Sequence, residues 1–314
     1  YKRQLLFYPL NYRGAFFNAN LVINNGKKLT LSHKTDEMIE GKLEKDFITQ
    51  PELWRLALMV SDRELSVALY PPVAREEILW RNFTLDRDTP DRLKAIEDIV
   101  YDNPLLLCDF KRVDCIIDSK EFMLLPETVT DDDMNLFLSS GGFDDDLSSS
   151  VISSPAENTR LLQAMDTKVC SFLKRTFYNI TFRSKVSLLA SYFISSTDNM
   201  PARKALALTN GDRLTFLGAE GHRLLAANEF EFRRPADAAY YILASMKQLG
   251  MEPDDPEVAL AVRRDINDDE NSINALLKPY VRNIMTIPFP MLRYRASRST
   301  LLIPFPLLLL PICE

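Results

Sequence analysis

The chain has 314 residues, 46% hydrophobic and 26% charged, which suits a soluble globular protein with room for two domains. Its net charge of −6 argues against a nucleic-acid binder that works by blanketing phosphates. Two histidines cannot build a multi-histidine metal site, and neither His33 nor His222 lies near a nucleophile-elbow motif.

In chain order, the first methionine is Met38, and residues 1–31 are read as an extension that need not be native. They lack the basic-then-apolar order of a signal peptide. The first strong pattern is a hairpin: Leu56-Ala57-Leu58-Met59-Val60, a polar turn Ser61-Asp62-Arg63-Glu64, then Leu65 to Tyr70. A third strand-like run, Glu77 to Leu85, precedes a helix start at Thr89-Pro90-Asp91, with Leu93, Ile96 and Val100 as its inner face. An apolar strand, Val113 to Ile117, closes the unit.

Between Lys120 and Arg160 there is no lysine or arginine, while aspartate triplets stand at 131–133 and 144–146 beside serine and glycine runs. Calcium loops alternate ligands with spacers, so contiguous triplets read as a solvated acidic loop, placed here at 126–150. Leu161, Leu162, Met165, Val169, Phe172, Leu173 and Phe177 recur at three- and four-residue spacing, which predicts an amphipathic helix from about Ala156 to Thr176. Val186 to Ile194 predicts a more buried helix.

The opening unit then recurs. Leu206-Ala207-Leu208, a turn Asn210-Gly211-Asp212 with a type I′ signal, and Leu214 to Leu217 repeat the hairpin. Arg223 to Phe232 is the third strand, and Pro235 opens a helix with Ala236, Ala239, Leu243 and Met246 on its buried stripe. Gly250 ends that helix, and Val258 to Val262 is the closing strand. A β-β-β-α-β unit present twice implies two similar lobes with a cleft between them. The boundaries read as a first lobe at 32–154, a helical connection at 155–201 and a second lobe at 202–295. Residues 296–314 read as a disordered or artefactual tail, uncharged from Ser299 to Cys313 but too short and proline-rich for a membrane span. The four cysteines form no CxxC pair and read as reduced core or tail residues of a cytosolic protein.

A duplicated hairpin, strand, helix and strand is the pattern of α/β ribonuclease-H-like lobes, two of which make the actin-like ATPase fold. Over roughly Ser32 to Arg295 the chain also resembles a bacterial family known as domain of unknown function 3822, whose fold is actin-like. The resemblance is carried by Leu56 to Tyr70, Glu121 to Pro126, Asn228-Glu229-Phe230, Asp237 to Leu243 and Gln248-Leu249-Gly250.

The resemblance makes the nucleotide machinery the next question. ATP-binding proteins of this fold use the hairpin turn of each lobe, with an Asp-x-Gly core whose glycine admits backbone N–H groups to the phosphates. Here the first turn reads Asp62-Arg63-Glu64, with a carboxylate in place of glycine, and the second reads Asn210-Gly211-Asp212. These five positions, Asp62, Glu64, Asn210, Gly211 and Asp212, are the degenerate phosphate-loop candidates. No catalytic residue and no metal ligand is assigned, and neither ATP nor magnesium is expected as a cofactor. A two-metal nuclease built on Asp62, Glu97 and Asp118 is the more distant alternative. The leading expectation is a cytoplasmic, non-catalytic binding or adaptor protein with an unknown protein partner, no direct nucleic-acid contact and no membrane contact. An actin-like nucleotide-binding protein or ATPase with unorthodox phosphate loops is its main rival. Arg234 and Tyr241 are the candidate partner-binding residues.

Overall fold

The computed structural model describes residues 42–73, 76–85, 91–139, 149–157, 159–195, 201–263, 272–287, 294–295 and 302–313. The expected extension over 1–31, the Thr89-Pro90 helix start and the aspartates at 144–146 lie outside the described residues.

The first unit is β1 (Arg55–Ser61), β2 (Glu64–Tyr70), β3 (Leu79–Thr84), α1 (Arg92–Asp102) and β4 (Arg112–Asp118). An insertion follows: β5 (Phe122–Pro126), α2 (Asp131–Ser139), β6 (Ser149–Ala156) and β7 (Thr159–Met165). Then come α3 (Thr167–Thr176), β8 (Thr181–Ser184) and α4 (Lys185–Ser195). The second unit is β9 (Arg203–Asn210), β10 (Arg213–Glu220), β11 (Arg223–Glu231), α5 (Pro235–Gln248) and β12 (Val258–Arg263). It is followed by α6 (Ile273–Leu277), β13 (Ile284–Ile287) and α7 (Phe305–Leu309).

Two five-stranded sheets result, ordered β3-β2-β1-β4-β8 and β11-β10-β9-β12-β13, with β5-β7-β6 as a third, smaller sheet. In each large sheet the hairpin strands are antiparallel, whereas the strand after the helix joins the first strand in parallel. That parallel return needs a helical crossover, which α1 and α5 supply.

The period-2 alternation of the strands sorts their side chains between cores. From β1, Leu56, Leu58 and Val60 enter the first lobe's own core with Ile96 and Val100 of α1 and Phe172 of α3. Ala57 and Met59 point the other way. From β9, Ala205 and Ala207 join the second lobe's core with Ile242 and Met246 of α5, while Leu206 and Leu208 turn away from it. The two turned faces meet α4 in one interlobe core. Strands buried on both faces lose the apolar–polar alternation, which is why β1 and β9 read as continuous apolar runs.

Three expectations are corrected. The helix expected from about Ala156 is instead strand over Thr159–Met165, and helix only from Thr167. Leu161 to Met165 are all buried, so both faces of β7 are covered, and its leucines and methionine join the apolar side chains of the following helix to imitate a helical stripe. The helix starts where the Asp166 carboxylate accepts hydrogen bonds from the Lys168 and Val169 amides, at 2.9 and 3.0 Å. Within the stretch read as an acidic loop, Asp131 to Ser139 form α2, with the first aspartate triplet in its opening turn, where the helix dipole favours anions. Thr130 and Asp133 cap it reciprocally: the Asp133 amide donates to the Thr130 hydroxyl and the Thr130 amide to the Asp133 carboxylate. The tail is corrected as well. Residues 302–313 are folded, and Leu307, Leu308 and Leu309 are fully buried in the interlobe core.

Candidate functional site

The site is the cleft where the two hairpin turns face each other, and each turn is built differently. In the first, the Ser61 hydroxyl oxygen accepts hydrogen bonds from the Arg63 and Glu64 amides, at 3.3 and 3.0 Å, and donates to the Glu64 carbonyl. One side chain thereby satisfies two backbone donors of the turn, and none of its residues has a positive φ that would call for glycine. The Arg92 guanidinium of α1 donates to the Ser61 carbonyl at 2.8 Å and fixes the turn against the helix.

In the second turn, Asn210 lies opposite Arg213, leaving Gly211 and Asp212 as the two linking residues. Gly211 has φ of 59°, and Asp212 is not left-handed. This corrects the expected type I′ turn, which needs positive φ at both central residues. The left-handed position falls on glycine, the residue that adopts it at least cost.

The turns are tied across the cleft. The Arg63 guanidinium forms an ion pair with the Asp212 carboxylate and lies 3.9 Å from Glu231, which Lys120 also approaches, at 3.8 Å. The cavity between them is about 490 Å³ and is lined by Asp62, Arg63 and Glu64 from one turn and Asn210, Gly211 and Asp212 from the other. All five phosphate-loop candidates therefore line one cavity.

Beneath this exposed tie lies a buried one. Lys185, at the start of α4, pairs with Asp118 at the end of β4 and with Glu229 of β11, the latter at 2.7 Å. Arg213 of β10 reaches the same two carboxylates, at 3.3 and 2.7 Å. Two cations and two anions make a closed, neutral ring, with side chains between 2% and 11% exposed. It joins β4 of the first lobe, β10 and β11 of the second and the helix between them. Burial pushes the Glu229 carboxyl above its ordinary range, against the opposing pull of Lys185.

The nuclease candidates are not assembled. Asp62 and Asp118 both line a second cavity, of about 190 Å³, which Glu97 does not line, and Asp118 is held by Lys185 and Arg213. Among the described residues no group of three or more histidine, cysteine or acidic side chains could hold a metal ion.

Arg234 and Tyr241 sit apart from the cleft cavity. The Arg234 side chain is 78% exposed and pairs with Asp237 at 2.8 Å. Tyr241 stacks on Phe230 with ring centroids 4.8 Å apart, against the second lobe's own core, beside the exposed Tyr240.

The ring was not singled out from the sequence. Its available signal was charge at the edge of apolar runs: Asp118 after Ile116-Ile117, and Lys185 before Val186. Glu229 stood in plain view within Asn228-Glu229-Phe230.

Two facing lobes of this topology with a cleft between their hairpin turns define the actin-like ATPase fold, and solved structures agree. A protein from Bacteroides thetaiotaomicron VPI-5482, described as having an actin-like ATPase fold and unknown function, matches with a TM-score of 0.63 at 20% identity, over 76% of this chain and 92% of its own. The PilM–PilN type IV pilus biogenesis complex matches with a TM-score of 0.51 at 9% identity, over 84% of this chain and 99% of that one. Residues 44–284 match the profile of the family described as protein of unknown function DUF3822, and the chain belongs to that family. No curated protein matches significantly. Among the described residues no helix is long and apolar enough to cross a membrane.

Proposed function

We propose that this chain is a non-catalytic binding or adaptor protein of the cytoplasm, using an actin-like scaffold to hold a protein partner. The observation that carries this reading is the state of the first turn. The Arg63 and Glu64 amides, donors that a phosphate-binding turn would need free, already donate to Ser61. The turn's arginine is engaged with Asp212. Asp62, Glu64, Asp212 and Glu231 then face the cavity with only Arg63, Lys120 and Arg213 against them and Asp118, an excess of negative charge that opposes a triphosphate. PilM, found with PilN, offers a precedent for a protein partner on this scaffold. Arg234 and Tyr241, with Tyr240 beside them, are the proposed anchor positions, because arginine and tyrosine concentrate binding energy at interfaces.

The test is calorimetric titration of the purified chain with ATP and with ADP, each with magnesium. No saturable heat at millimolar nucleotide is expected, and no rise in melting temperature, since a ligand stabilises only a state it binds. Micromolar ATP affinity that disappears in Asp62→Ala would overturn the adaptor reading and establish the nucleotide-dependent one.

A further inference from the structure

The second hairpin turn carries a chemistry that the first does not. Asn210 is followed by Gly211; both are exposed, and both line the cleft cavities of about 490 and 380 Å³. A side chain added at Gly211 would meet nothing within 4 Å. Among the described residues, neither the Asn210 side-chain amide nor the Gly211 N–H has a hydrogen-bond partner.

We infer that Asn210 is a site of self-modification. In the folded protein it deamidates through a cyclic imide formed with Gly211, at a rate set by how firmly the buried ring holds Arg213. The Gly211 nitrogen, its proton lost to base, bonds to Cγ of Asn210; the Cγ–Nδ2 bond breaks, and Nδ2 leaves as ammonia with a proton from water. A second water then opens the imide. Addition at Cγ breaks its bond to nitrogen and leaves aspartate. Addition at the main-chain carbonyl leaves isoaspartate, with the chain running through Cγ. Water is the one co-reactant, and the cavities bring it to the turn.

The open turn favours the reaction in two ways. Glycine leaves the attacking nitrogen uncrowded, and here nothing around the turn crowds it either. Both reacting groups are free, so neither gives up a hydrogen bond. Against this stands one restraint. Asn210 ends β9 and pairs with Arg213, the residue that opens β10. Closing the imide swings the Gly211 nitrogen out of the strand direction and toward the side chain, so this pair must open for a moment. The cost of such local opening varies widely across a fold. At this hairpin it falls on Arg213, whose guanidinium is tied to Asp118 and Glu229. The first turn has no counterpart: it contains no asparagine, and its Arg63 and Glu64 amides are held by Ser61. The products act back on the lobes. Either adds a carboxylate to a cavity already lined by Asp62, Glu64, Asp212 and Glu231. Isoaspartate also adds a carbon to the main chain beside the pair that positions Arg213, which loosens its hold on the ring.

The experiment incubates the unmodified chain in mildly alkaline buffer, folded and in urea, and follows the tryptic fragment 205–213 by mass spectrometry. Asn25-Gly26 falls in a different fragment, 14–27, so conversion there is counted apart. In the folded chain, fragment 205–213 should gain the mass of amide-to-acid exchange. That gain should be at least about tenfold slower than in urea, because the pair at the base of the turn is closed most of the time. Enzymatic carboxyl methylation should report isoaspartate in the same fragment, and the converted protein should melt below the fresh one. Asn210→Gln, whose longer side chain closes its imide far more slowly, should abolish the gain. Lys185→Met, which removes one cation of the ring, should quicken conversion at least about threefold. Glu229→Gln replaces it should that variant not fold. A folded chain whose fragment 205–213 stays unconverted while the urea sample goes to completion overturns the proposal. Equal rates in the folded chain and in urea, or a rate untouched by weakening the ring, refute the control by Arg213.

Discussion

Lys185→Met tests whether the buried ring acts as a unit. The substitution keeps the aliphatic stem and removes the charge, leaving Arg213 alone to face Asp118 and Glu229. Both carboxylates are almost fully buried, at 2% and 3% side-chain exposure, so the site is left with an uncompensated negative charge closed off from water. Removing one partner of a buried pair costs about 3–5 kcal/mol. At about 2–4 °C per kcal/mol for a chain near this size, melting should fall by about 6–20 °C. Adding Glu229→Gln restores neutrality and leaves the Arg213–Asp118 pair, whose atoms already lie 3.3 Å apart. The double variant should therefore recover at least about 2 kcal/mol over the sum of the two single losses. Thermal melting by circular dichroism and urea midpoints on the four proteins supply the cycle. Additivity within about 0.5 kcal/mol would refute the claim that the four residues work together.

Three further outcomes are expected. Arg63→Ala, in the exposed tie above the ring, should cost less than about 1 kcal/mol, and that cost should shrink in high salt; a loss as large as that of Lys185→Met would contradict the ranking of the two layers. Lys204 is fully buried, and its ammonium, bonded to the Phe193 carbonyl, has its pKa pushed down by burial to about 8. The unfolded chain keeps that proton up to about 10.4. Between those values the unfolded state binds more protons, so stability relative to Lys204→Met should rise with pH from about 8 upward. A stability gap that stays flat from pH 7 to 10 would refute this. Asp166→Ala removes the cap of α3 and should cost about 0.5–2 kcal/mol in urea melts, with Asp166→Asn recovering most of it.

The duplicated architecture was readable because a hairpin with polar turn residues, followed by strand, helix and strand, is a local pattern. Each step leaves its mark within a few residues. Elements buried on both sides are harder. In β7 the run Leu161 to Met165 is buried on both faces, Gln163 included, and without a clean apolar–polar alternation the sequence cannot separate strand from helix. The prolines in the tail count correctly against a long helix, yet Pro304 and Pro306 suit the start of the five-residue α7. Only its partners, the inner faces of two sheets, explain why it is ordered. The ring was illegible for a different reason: Arg213 contacts Asp118 across 95 residues of chain, and no local signal announces that separation. The Thr130–Asp133 box, by contrast, was there to be read, since threonine followed three residues later by an acid marks a helix start.

The serine-closed turn has a consequence for evolution. For this hairpin to acquire phosphate contacts, Ser61 must release two amides, Glu64 must give way to a small residue, and Arg63 must let go of Asp212. None of these changes is useful alone. Loss of the hydroxyl strands two donors, loss of the carboxylate leaves the donors occupied, and loss of the arginine leaves the acids opposite it facing one another. Phosphate contacts at this hairpin would therefore require several substitutions together.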